Sequence, residues 1–258
     1  MDKLKETASN KDREEIKNRA VEVRESGDLA QAKELLEQVI DWDEKNDNPR
    51  GEIDALGHLR IVYSNMAEEE KDAQVKQSLK EQARGCVEKA LVIIDARPEI
   101  PQDSRSILQV HLASTIFETA KENTDPTFKV AQLEKALQVV KDAMETLPGS
   151  QAHKAWPANL KAKILYEMGK KEEAWDVLMQ AEKWIYGGYN QEIVNGDQAE
   201  IKLNVWLSGL MLTKAEICKR EGKTILARHY TEYIVSMNDS TNSLSQRKKD
   251  AQIILQSI

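Results

Sequence analysis

The sequence predicts an all-α protein built from consecutive helix pairs, and three observations carry that prediction. The 258 residues include only 11 Gly and 6 Pro, so helix-breaking positions are sparse while Ala, Glu, Lys, Leu and Gln are abundant. Aromatic residues make up 5% of the chain, which disfavours a strand-rich domain. Turn-forming clusters divide the rest into segments of roughly fifteen to forty residues, several of them long enough for two antiparallel helices.

Taken in order, residues 1–10 carry no apolar core and are expected to be a flexible N-terminus, and "MDKLKETASNKDREE" does not read as a signal peptide. Residues 11–242 are expected to form one helical domain and 243–258 a final helix. "NDNPRG" (Asn46 to Gly51) is a turn cluster. After Pro98 and Pro101, Asp103 or Ser104 is expected to cap the next helix. Asp125 is an N-cap with Pro126 at the first helical position, where its missing N–H costs nothing. Ser150 follows "LPG" and precedes a further helix. "YGGYNQEIVNGD" (Tyr186 to Asp197) reads as the longest break, and "NDSTNS" (Asn238 to Ser243) precedes the last helix.

A spacing recurs inside these segments. Ala20, Gly27 and Ala32 are followed by Leu36 and Val39. Ala162, Gly169 and Ala174 are followed by Leu178 and Ala181. Ala215, Gly222 and Ala227 are followed by Thr231 and Ile234, each set at the same intervals. A glycine after a helical run closes the helix at positive φ. The next helix then folds back, and small residues let the two backbones approach closely.

This spacing resembles the tetratricopeptide repeat, a helix–turn–helix unit with small residues at fixed positions and glycine at the turn. Ala83, Val87 and Ala90, and Ala136, Val140 and Ala143 with Pro148 after them, fit its second helix. Their first-helix anchors, Gly57 and Ala113, lie too far upstream, so these two copies need lengthened helices or a longer turn. The second-helix alanines at 32, 83, 136, 174 and 227 are separated by 51, 53, 38 and 53 residues, against about 34 in a strict array. The resemblance implies a right-handed α-α superhelical solenoid of about five antiparallel helix pairs, with a C-terminal capping helix.

The net charge is −7, which argues against nucleic acid as the main ligand, because phosphate binding draws on a basic face. The apolar runs "ALVIIDA" and "VWLSGLML" are too short for the roughly 20 residues that span a bilayer. A cytoplasmic protein is expected. Cys86 and Cys218 read as core residues, since neither a disulfide framework nor a zinc site can be built from them.

Asp41, Asp43 and Glu52 fall at the first, third and twelfth positions of a calcium loop. Lys45 then stands at the fifth and Asn46 at the sixth, where a ligand and a glycine are needed, so a solvated turn is expected. His58, His111, His153 and His229 are scattered singly. The tryptophans read as packing between repeats, with an interface role as the alternative. No catalytic residue, metal ligand or cofactor is assigned.

The resemblance further implies that the first helix of each pair lines a concave groove that binds a partner protein or peptide. Mapped onto the repeats, that groove takes Lys17, Val21 and Arg24, then Asn159, Lys163 and Tyr166, then Leu212, Glu216 and Lys219 with Arg220 adjacent. It is basic against an acidic whole, which suits an acidic or C-terminal peptide. The chaperone-tail clamp of the family is not expected, because Val21 replaces its asparagine. The expected function is therefore a non-enzymatic adaptor or scaffold with a protein or peptide partner, a homodimer being allowed, and with no nucleic acid or membrane. The alternative is a regulator, similar to bacterial peptide-sensing tetratricopeptide proteins, that changes shape on binding. The absence of space for a DNA-binding domain before the first repeat weighs against it.

Overall fold

The computed structural model describes residues 2–195, 199–239 and 243–258, and every regular element among them is helical. The helices are α1 (Asp2–Glu25), α2 (Leu29–Lys45), α3 (Pro49–Glu69), α4 (Ala73–Ala96), α5 (Gln102–Glu122), α6 (Pro126–Thr146), α7 (Ala155–Glu167), α8 (Lys171–Asn195), α9 (Ala199–Arg220), α10 (Thr224–Ser236) and α11 (Ser245–Gln256). A short 3₁₀ turn, Ala152–Lys154, precedes α7. The chain divides into two compact units, Met1–Val139 and Val140–Ile258. In the first, each of α1 to α4 packs against the next helix and α1 also meets α3. In the second, α7 to α10 do the same, α7 meets α9, and α11 covers α9 and α10.

The turns show why the chain reverses where it does. Gly27, Gly169 and Gly222 all have positive φ. In each case the glycine N–H and the next N–H bond back to two carbonyls of the last helical turn, as in Gly169 to Tyr166 and Lys170 to Leu165. This Schellman arrangement satisfies carbonyls the helix end would otherwise orphan. The α2–α3 turn closes the same way without glycine, through Asp47 at φ 49°; Asp is among the few residues that tolerate this region. The following helices are capped by Asp28, Asn48, Asp72 and Asp125, whose side-chain oxygens accept first-turn N–H groups.

Packing follows the spacing read from the sequence. All fifteen second-helix positions, from Ala32, Leu36 and Val39 to Ala227, Thr231 and Ile234, are 2% exposed or less. Ala20, Ala162 and Ala215 are fully buried opposite them. The irregular second copy owes its length to its helices, 21 residues in α3 and 24 in α4. In α3 the fully buried small residue is Ala55, whereas nothing lies within 4 Å of a Cβ built on Gly57.

Helix α1 begins at Asp2, within the segment 1–10. Three expectations are corrected. Helix α5 begins at Gln102 after Pro101 and has no side-chain cap, so neither Asp103 nor Ser104 is its N-cap. The stretch read as the longest loop is helical up to Asn195, and residues 196–198 lie outside the described residues. The reason is local packing: Gly188 is buried where a Cβ would overlap the backbone nitrogen of Ala152, so the glycine admits the 3₁₀ turn against α8. Ser150, also buried, donates to Glu192 farther along the same helix. Finally, the solvated turn at Asp41 to Glu52 is only partly solvated. Asp43 is fully buried and paired with Arg13, and Glu52 is buried too.

Candidate functional site

On the first unit, Lys17, Val21 and Arg24 occur at the i, i+4, i+7 spacing of one helix face, and all three are half-buried. Lys17 binds Asp54 of α3 at 3.0 Å and Glu14 at 3.0 Å. Arg24 donates to Nδ1 of His58 at 3.1 Å, so that nitrogen accepts and the ring is neutral in this arrangement. Burial, and then the cations Arg24, Lys17 and Arg13, push the His58 imidazole down against the opposing pull of Asp54. Lys17 and Arg24 thus each engage one residue of α3 while staying half-exposed.

On the second unit, Asn159, Lys163 and Tyr166 repeat that spacing on α7, and all are half-buried. Asn159 Nδ2 donates to the Gly209 carbonyl of α9 at 3.3 Å, while its Oδ1 is buried and has no partner. Tyr166 lies between two cations, with Lys171 Nζ 5.7 Å and Arg220 Cζ 5.8 Å from the ring centroid. Arg220 also pairs with Glu167. Burial pushes the Tyr166 hydroxyl above its usual range. Glu216 is half-buried, and Lys219 is exposed with Nζ 2.6 Å from Ser257 Oγ of the chain end. Leu212 departs from the groove reading: it is buried in the core of this unit rather than offered to solvent.

Residues that the sequence left unassigned complete these faces. Asp54 and His58 join the α1 set, and Arg60 lies on the same helix with its Nε buried and without a partner. The signal for Arg60 was present: it is the one cation inside the apolar run "ALGHLRIVY". His153 was read as isolated, yet its ring stacks between Trp156 and Trp206, with centroids 6.0 and 5.2 Å away. Its Nδ1 donates to the Pro148 carbonyl at 2.9 Å. Trp206, on α9 and far along the chain, is what made this sandwich invisible to local spacing.

Neither thiol is suited to nucleophilic work, because burial raises Cys86 to about 11 and also raises Cys218. Among the described residues no group of three His, Cys, Asp or Glu is placed to hold a metal ion, and no helix is long and apolar enough to cross a membrane. The chemistry on these faces is that of charge, hydrogen bonding and cation–π contact. No protein-family model matches the chain, and no curated protein matches it.

Proposed function

We propose that this chain is a cytoplasmic, non-enzymatic interaction module of tetratricopeptide-like architecture, a right-handed solenoid whose first helices line a groove for a partner protein or peptide. The observation that carries this reading is a division of labour between helices. All fifteen small or apolar second-helix positions are consumed by the core. The i, i+4, i+7 sets of α1 and α7 stay half-exposed and rich in polar groups. Side chains of that kind add little to folding and supply recognition.

The chemistry suits an extended segment carrying acidic residues. Lys163, which makes no ion pair with the described residues, and Lys219 offer cations, and Tyr166 offers an aromatic face. The test is affinity capture from lysate with the wild type and with a Lys163→Glu, Tyr166→Ala double variant. Loss of the recovered partner by the double variant, with unchanged thermal stability, is the expected result. Equal recovery by both proteins would overturn the assignment of this face.

A further inference from the structure

We propose that a cavity between α3, α4 and α5 is a binding site for a small zwitterion, whose carboxylate meets Arg60 and whose ammonium group meets Glu118. The inference concerns the first unit alone and stands apart from the groove assigned on α7.

Arg60 projects from a helix whose neighbouring positions Leu56, Leu59, Val62 and Tyr63 are core. Its Nε is buried without a hydrogen-bond partner, and its guanidinium makes no ion pair with any described residue. The titratable groups that face it do not neutralise it. Cys86, held up at about 11 by burial, is a neutral thiol. His111, pushed down to about 3 by burial and by Arg60 itself, is a neutral imidazole. The remaining neighbour, Arg24, is another cation. A half-buried cation with a buried, unbonded Nε and no counter-charge is costly, and the arrangement becomes favourable when an anion arrives.

Space for one lies alongside. A cavity of about 290 Å³ is lined by Arg60, Ser64, Ser114, Thr115 and Glu118, with Lys76, Lys80 and Glu122 also on its wall. The last three engage one another: Glu122 binds Lys76 at 3.4 Å and Lys80 at 2.5 Å, a cluster that keeps one net positive charge. Glu68, the remaining carboxylate on the wall, has an interaction of its own. Arg60 and Glu118 are the two charged groups on this wall without an ion-pair partner among the described residues, opposite in sign and not closed on each other. A phosphate or a dicarboxylate would satisfy Arg60 but confront Glu118, and a diamine would do the reverse. A ligand with one charge of each sign satisfies both, and the Ser64 and Ser114 hydroxyls supply neutral hydrogen bonds between them. The volume lies at the small end for ligand sites, which fits an amino-acid- or dipeptide-sized molecule.

Isothermal titration of the full chain with 4-aminobutyrate, glycylglycine, succinate and putrescine tests this. The expected result is that at least one zwitterion binds about ten-fold or more tightly than either succinate or putrescine. Arg60→Met, which removes a half-buried charge and leaves the fold no worse satisfied, should abolish that binding. Glu118→Gln should erase the preference over succinate. The proposal is overturned if neither zwitterion gives heat up to about 10 mM. It is equally overturned if the doubly charged probes bind as well as the zwitterions, or if Arg60→Met binds undiminished.

Discussion

Arg13 and Asp43 form a buried ion pair that ties α1 to the end of α2: Nη2 reaches Oδ2 at 2.7 Å, and Nε lies 3.1 and 3.2 Å from the two carboxylate oxygens. Arg13 Nη2 also donates to the Gly51 carbonyl at 2.9 Å, and Asn48 donates to Asp43 Oδ1 at 2.6 Å, which brings α3 into the same cluster. Arg13 also pairs with the exposed Glu14, but removing Asp43 takes away its buried counter-charge and removing Arg13 leaves Asp43 uncompensated. Asp43→Ala is therefore expected to cost about 3–5 kcal/mol, whereas an Arg13→Met, Asp43→Leu pair is expected to cost far less. Urea unfolding of the single and double variants measures both.

The two glycines of "YGGYN" should respond oppositely to alanine. Both lie inside α8. A Cβ at Gly187 would meet only Gln151 Oε1 at 3.4 Å, so Gly187→Ala is expected to gain roughly 0.5–1 kcal/mol from helix propensity. At Gly188 the Cβ would collide with the Ala152 backbone, and a loss of about 1–3 kcal/mol is expected. Thermal melts of the two variants check the difference in sign, which a flexible loop would not produce.

Stability should fall as the solution is acidified through the histidine range. The folded-state pKa of His111 is depressed to about 3, so the unfolded chain takes up a proton near 6.5 that the folded chain refuses. Stability is thus present above the unfolded value and is lost as pH drops below it. His111 alone should remove about 1 kcal/mol between roughly pH 7 and pH 5.5. His58, lowered for the same first reason, adds in the same direction. Urea midpoints across that window should decline in the wild type and decline less in His111→Gln.

How far the sequence was legible depends on the range of the interaction. Gly27, Gly169 and Gly222 announce turns because one residue's backbone freedom decides the outcome, and the structure places all three at positive φ. The buried register of Ala174, Leu178 and Ala181 follows from helical period alone. Gly187 and Gly188 misled because the same residue that ends a helix also admits a close neighbour, and that neighbour is 36 positions away in sequence. Asp43 misled because its partner, Arg13, lies on another helix. The candidate faces were legible as helix positions at Lys17, Arg24, Asn159 and Tyr166. What those positions touch, and the core burial of Leu212, depended on the packing of α3 and α9, which no local spacing records.

The central claim is that first helices, not second helices, meet the partner. A photoreactive benzoylphenylalanine placed singly at Val21 or Lys163, and for comparison at the exposed second-helix positions Met179 or Leu226, tests it most directly. The account predicts a covalent partner adduct from Val21 or from Lys163 and none from Met179 or Leu226. Adducts formed from Met179 or Leu226 and absent at Val21 and Lys163 would contradict it.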